Sequence, residues 1–209
     1  DDLKPAIGCF GDSLAITPNI DALAENGMVF KNTYCQQAVC APSRASLLTS
    51  RYPDQTEVWD LKTLIRHRNS DIITLPQHLK SNGYTTIGTG KIFDPRSVDD
   101  NLDTPSWNEF VNAWDSKWYS SETGKPSFYY ALPSSKDTIA ILEQEASDKG
   151  ENRRNYVKER YWPSLEKADV PYDAYIDGAI ANVGVHFLEQ LADQTKPFFL
   201  AVGFKRPHL

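Results

Sequence analysis

Phe198-Phe199-Leu200-Ala201-Val202-Gly203-Phe204 is an unbroken apolar run of strand length. A strand with one solvated face alternates polar and apolar residues, whereas a strand without alternation is expected at the centre of a parallel sheet, covered on both sides. Parallel strands need a crossover, usually a helix, and the preceding segment supplies one. Over residues 173–192, Ile176, Ala179, Ile180, Val183, Phe187, Leu188 and Leu191 recur at helical spacing, with His186 beside that face and read as structural. Upstream, residues 74–83 read as a capped helix ending at Gly83, followed by a strand over residues 84–89. Helix feeding strand, twice over, predicts an α/β architecture with helices on the faces of a mixed, mostly parallel sheet.

Ligands of open α/β sheets bind beyond the carboxyl ends of the strands, and both strands end on charged residues. Gly90-Lys91 follows the first; Lys205-Arg206-Pro207-His208 follows the second. Lys91 is placed to neutralise an anion, Lys205 and Arg206 to hold a carboxylate or sulfate, and His208 to work beside a reacting group. The most pointed chemistry lies earlier, in Cys40-Ala41-Pro42-Ser43-Arg44-Ala45-Ser46-Leu47-Leu48-Thr49-Ser50. Pro42 suits the first turn of a helix, where its missing N–H costs nothing. Cys40 then stands at a helix N-terminus, a favourable place for an anion, and Arg44 one turn on brings a guanidinium fork to the same oxygens.

These residues resemble the signature of the type I, formylglycine-dependent sulfatases of the alkaline phosphatase superfamily. Ser50 stands where that pattern usually has Gly. The longer string Gln36-Gln37-Ala38-Val39-Cys40 and the segments Asp1-Asp2-Leu3-Lys4-Pro5, Gly8-Cys9-Phe10-Gly11-Asp12 and Phe198 through His208 are similar to the iduronate-2-sulfatase branch. The resemblance covers residues 1 to about 95 and about 172 to 209. It implies an alkaline phosphatase-like sulfatase fold, of which residues 1–209 are the N-terminal portion, with a divergent insertion over about 95–172. It implies Cα-formylglycine made from Cys40 by a formylglycine-generating enzyme or equivalent maturase, and calcium, or magnesium, held by Asp1, Asp2 and the modified Cys40. By residue type alone, adjacent carboxylates are a solvated loop or a site for a hard cation. The strand that precedes Asp1-Asp2 in the family is expected upstream of this chain, and further metal ligands downstream of it.

The resemblance also assigns Lys91 and His208 to the sulfate ester. Its mechanism has a hydroxyl of the hydrated formylglycine attacking sulfur, the sugar alcohol leaving with a proton from His208, and Arg44, Lys91 and the metal stabilising the sulfuryl oxygens. One residue departs from the pattern: where relatives often carry a histidine three residues after the lysine, this chain has Asp94. An ionised carboxylate repels sulfate, so either Asp94 binds another group, such as a sugar hydroxyl, or a different side chain does the histidine's work. The expected substrate is a sulfated carbohydrate, with a 2-O-sulfated uronic acid such as iduronate 2-sulfate favoured, as in glycosaminoglycan degradation. Such an enzyme is exported to the periplasm or medium if bacterial and lysosomal if animal. A phosphonate or phosphate ester hydrolase of the same superfamily, a cysteine hydrolase using Cys40 and His208, and a noncatalytic glycan-binding relative are the alternatives.

Composition sets the outer limits. With 22 Lys and Arg against 28 Asp and Glu, the net charge is −6, which argues against nucleic acid as the main partner yet permits a local basic pocket for a sulfated sugar. At 209 residues and 40% hydrophobic, the chain can bury a real core. No apolar run approaches the roughly 20 residues of a membrane span. Cys9 and Cys35 read as buried free thiols, and no zinc spacing accompanies them. Residues 17–27 read as a helix capped by Thr17 and closed by Gly27, and Met28-Val29-Phe30 as a short buried strand. Lys62, Arg66, His67 and Arg68 form a basic cluster, read as a solvated face, with Arg66 the candidate if it is a sugar-sulfate subsite. The insertion carries Trp107, Trp114, Trp118 and Trp162, mostly packing, with one or two expected to face substrate, and one helical stretch near residues 138–146.

Overall fold

The computed structural model describes residues 4–119, 126–127 and 130–208. Its helices are α1 (Pro18–Glu25), α2 (Cys40–Thr49), α3 (Pro53–Thr56), α4 (Ile65–Arg68), α5 (Leu75–Ser81), α6 (Pro133–Asp148), α7 (Arg153–Arg160) and α8 (Ile176–Ala192), and its strands β1 (Thr85–Gly90), β2 (Glu109–Val111) and β3 (Phe198–Gly203). They divide into two units, residues 1–75 with 93–103, and residues 76–92 with 104–209.

The second unit holds the sheet, ordered β2-β1-β3 with every pairing parallel. The apolar run predicted β3 at the centre; among the described residues β1 is central and β3 is half-buried along its length at one edge. The buried strand is instead Thr85-Thr86-Ile87-Gly88-Thr89-Gly90, which works because each buried hydroxyl finds a backbone acceptor. Thr86 Oγ1 donates to the Ser106 carbonyl at 3.0 Å and Thr89 Oγ1 to that of Val111 at 3.0 Å. Gly88 leaves the space that the rings of Phe110 and Trp107 fill. Helix α8 packs its predicted stripe against this sheet: Ile176, Ala179, Ile180, Val183, Phe187 and Leu191 join Ile87, Val111 and Trp118 in one core. Leu188, expected on that face, is exposed, and His186 lies edge-on to Trp118 at 5.0 Å.

The start of α5 and the left-handed Gly83 (φ 90°) that follows it agree with the sequence reading. In the insertion, the helix expected near 138–146 is the longer α6. Neither β2 nor α7 was anticipated; α7 has a short buried face, Tyr156 and Val157, and a cap in which Asn152 accepts the Asn155 N–H. Trp107 and Trp118 are buried packing residues.

In the first unit, α2 begins at Cys40 as expected and ends on Ser50 at φ 57° and ψ 28°, its N–H bonded to the Ser46 carbonyl. That left-handed conformation explains why glycine is the usual residue there. Two local expectations fail. Thr17 precedes α1 but does not cap it; its hydroxyl accepts the Gly8 N–H at 3.0 Å and donates to Asp21 Oδ2 at 3.0 Å, while the helix closes on Asn26 rather than on a left-handed Gly27. Residues 28–30 form no strand, and Met28 and Phe30 are exposed, because no neighbouring backbone pairs with them among the described residues.

Two glycines test how closely the sheet is built. Gly90 sits at φ 75°, where a Cβ would overlap the Gly203 carbonyl, whereas Gly150 at φ 68° faces open space. Gly90→Ala is expected to cost well above ~2 kcal/mol and Gly150→Ala about 1 kcal/mol, measured by urea denaturation.

Candidate functional site

The candidate residues occupy two clusters, one in each unit. In the first, the helical turn that Pro42 helps begin puts Cys40 at the first position of α2, partly exposed, with Val39 as the preceding extended residue. The Ser43 N–H bonds back to the Val39 carbonyl at 3.1 Å, closing the first turn of the helix beside Cys40. Arg44 follows one turn later on the same helix. None of Cys9, Cys35 and Cys40 is in a disulfide; Cys9 is half-buried and Cys35 exposed, so the expected burial of that pair does not hold.

The segment after Lys91 contributes the group that sequence reasoning left open. Asp94 is completely buried and accepts from Arg96 Nε and Nη2, both at 2.9 Å, and from the Arg96 backbone N–H at 3.1 Å. It therefore holds a cation and does not offer a free carboxylate to a sugar hydroxyl. Asp94 beside it holds the Arg96 guanidinium charged above its ordinary range, against the opposing pull of burial, and the Cys40 side chain adds to that hold. Arg96 is the residue the sequence reading missed. Its signal was local, an acid-Pro-Arg turn at the position where the family pattern departs.

Arg66 is occupied otherwise than proposed. Its Nε and Nη2 reach Asp103 at 2.5 and 2.9 Å, Nη1 donates to the Ile72 carbonyl at 2.9 Å, and Asp103 is wholly buried. His67 lies 3.6 Å from Asp99. Arg66 and His67 thus meet acids from residues 99–103, and the Arg66 guanidinium is engaged by internal partners, as expected of a structural cation.

In the second unit, the β1–β3 pairing carries Lys91 and the loop after β3 to one end of the sheet. The Lys91 N–H bonds to the Gly203 carbonyl at 2.7 Å, and Lys91 Nζ donates to His208 Nε2 at 2.9 Å. An ammonium can only donate, so His208 Nε2 is the acceptor and the ring proton is on Nδ1. Asp177, in the first turn of α8, anchors the loop by accepting the N–H groups of Lys205 at 2.7 Å and Arg206 at 3.0 Å. Arg206 Nη1 turns back to the His208 carbonyl at 2.9 Å. Asp177 was also missed; its partners lie 28 and 29 residues away, beyond any local pattern.

Beside this loop lies a cavity of about 420 Å³ lined by Tyr130, Trp162, Glu166, Tyr175, Asp177 and Arg206, among others. Glu166 accepts the N–H groups of Ala131 and Leu132 and the Tyr175 hydroxyl. Burial pushes its carboxyl up, but these donors outweigh it and hold the group below the usual glutamate range. Burial and the neighbouring Glu166 push the Tyr175 hydroxyl up to about 12. Trp162 is the insertion tryptophan best placed to face a ligand.

The calcium expectation rests on Asp1 and Asp2, which lie outside the described residues. Among the described residues no group of three or more His, Cys, Asp and Glu side chains gathers as a metal site, and no helix is long and apolar enough to cross a membrane.

The Arg66 pair gives a direct test of structural against substrate roles. Asp103→Ala strands a buried guanidinium and is expected to lower the unfolding free energy by about 3 kcal/mol. Arg66→Ala is expected to cost a comparable amount in urea denaturation while leaving the affinity of the folded protein for inorganic sulfate unchanged by calorimetry.

The Sulfatase family model matches residues 1–209. The chain is 35% identical over 209 residues to iduronate 2-sulfatase of Mus musculus, and equally to that of Homo sapiens, covering all of this chain and 34% of each relative. The chain thus spans about a third of the length of these curated relatives. Among solved structures, Ps i-CgsB in complex with k-i-k-neocarrahexaose superposes with a TM-score of 0.64 at 24% identity, covering all of this chain and 44% of that one. With a parallel sheet flanked by helices and a family match along its whole length, this chain belongs to the sulfatase family.

Proposed function

We propose that this chain carries the nucleophile-bearing part of an enzyme that hydrolyses sulfate esters on a sulfated carbohydrate, with a 2-O-sulfated uronic acid such as iduronate 2-sulfate as the favoured substrate. The observation that carries this reading is Cys40 at the first position of α2, partly exposed, with a guanidinium one turn on. The identity to iduronate 2-sulfatases along the whole chain supports the choice of substrate.

Cys40 suits conversion to formylglycine by a maturase, since it is accessible and outside any disulfide. Once made, the formylglycine would supply, as its hydrate, a hydroxyl nucleophile toward sulfur. The N–H groups of the first turn of α2 and the charge of Arg44 stabilise negative charge on the sulfuryl oxygens. Lys91 adds a point charge held in place by β1. With Lys91 Nζ donating to His208 Nε2, His208 passes its Nδ1 proton to the departing alcohol as Nε2 takes up the proton of the Lys91 ammonium, so that the imidazole stays neutral. Lys205 and Arg206, on the loop fixed by Asp177, hold an anionic group of the sugar, and the aromatic walls of the neighbouring cavity suit a pyranose face. Calcium, or magnesium, would be held by Asp1 and Asp2 with the modified Cys40. Such an enzyme works in the periplasm or outside the cell in a bacterium, or in the lysosome in an animal.

The test is turnover by the full-length protein after co-expression with a formylglycine-generating enzyme. Hydrolysis of a 2-O-sulfated uronate disaccharide is expected at a rate at least ~10³-fold above the matching phosphate ester, with Cys40→Ala reducing it by about 10⁴-fold or more. Preference for the phosphate ester, or full activity in Cys40→Ala, contradicts the reading.

A further inference from the structure

We propose that Arg96, oriented by the buried carboxylate of Asp94, forms a sulfate-binding subsite in the unit that carries Cys40. The inference rests on the sulfatase reading for its ligand, and on the geometry of residues 94–97 for its location.

Asp94-Pro95-Arg96-Ser97 is a tight turn. The Ser97 N–H closes it on the Asp94 carbonyl at 3.0 Å, the Ser97 hydroxyl donates to the same carbonyl at 2.9 Å, and Pro95 fixes the φ of the second residue. The turn folds the Arg96 side chain back onto its neighbour's carboxylate in a two-pronged pair. A guanidinium has five N–H donors; Asp94 takes those on one edge. The arginine side chain is nonetheless 55% exposed while its partner is fully buried, so its remaining donors are open to solvent, with no further side-chain acid on them among the described residues.

The other bidentate pair in this unit behaves differently. Arg66, at 14% side-chain exposure, gives one edge to Asp103 and another donor to the Ile72 carbonyl. A pair that only neutralises a buried acid can spend its donors internally in that way. Arg96 instead presents a fixed, half-exposed fork, within electrostatic range of the Cys40 side chain. A planar fork of this kind matches two oxygens of a sulfate. Asp94, in place of a histidine, is then a positioning residue that aims the cation rather than a group that meets the anion.

The test uses the full-length protein and inorganic sulfate as probe, read by calorimetry, alongside kcat/KM for an aryl sulfate after maturation. Arg96→Gln is expected to weaken sulfate binding by the folded protein and lower kcat/KM by roughly 10- to 100-fold each, and also to lower the thermal midpoint, because the buried Asp94 carboxylate loses its cation. Arg96→Lys, which keeps charge without the fork, is expected to recover part of the loss. Asp94→Asn is expected to raise KM more than it lowers kcat. Unchanged sulfate affinity and unchanged kcat/KM in Arg96→Gln overturn the subsite, as does a lowered thermal midpoint with both parameters intact. If the wild type binds sulfate through Arg96 but turns over no sulfate ester, the function fails and the subsite stands. If it turns over sulfate esters and Arg96→Gln is silent, the subsite fails and the function stands.

Discussion

The close approach of β1 to β3 at Gly90 and Gly203 governs the rest of the second unit. A side chain at Gly90 would overlap the Gly203 carbonyl, so only two backbones meeting directly allow the register in which Gly90 faces Gly203. That register sets the Lys91 N–H on the Gly203 carbonyl and leaves both strands ending together. Lys91 and the 205–208 loop are consequently neighbours despite 117 residues between Lys91 and His208. The chemistry at this end of the sheet depends on a contact made by residues that have no chemistry of their own.

A second constraint is the handling of carboxylates. The buried Asp94 and Asp103 and the partly buried Glu166 and Asp177 are each met by two or more donors. The donors differ, and the difference sorts their roles. Asp103 neutralises an arginine inside a unit, Glu166 ties down the insertion, Asp177 anchors the loop that bears His208, and Asp94 leaves its arginine facing outward.

Much of this was legible because it is local. Pro42 and the small residues after it announce α2, Gly83 announces the end of α5, and helical spacing announces α8. Lys91, Arg206 and His208 were singled out because they follow strands. What escaped depends on partners distant in sequence: Arg66 with Asp103 across 37 residues, and Asp177 with the loop after β3. Strand rank escaped too, since apolarity named β3 the centre while among the described residues β1, with hydroxyls satisfied by neighbouring carbonyls, holds that place. Residues 28–30 misled for the same reason, an apolar triplet being a strand only where another backbone pairs with it. In residues 153–160 two buried side chains were too few to show a period.

The central claim is that Cys40 becomes the catalytic nucleophile, and the mass of the tryptic peptide covering residues 32–44, from protein made with a formylglycine-generating system, tests it most directly. The account predicts the aldehyde or its hydrate at Cys40. An unmodified thiol in that peptide, from a preparation in which a known sulfatase is fully converted, contradicts it.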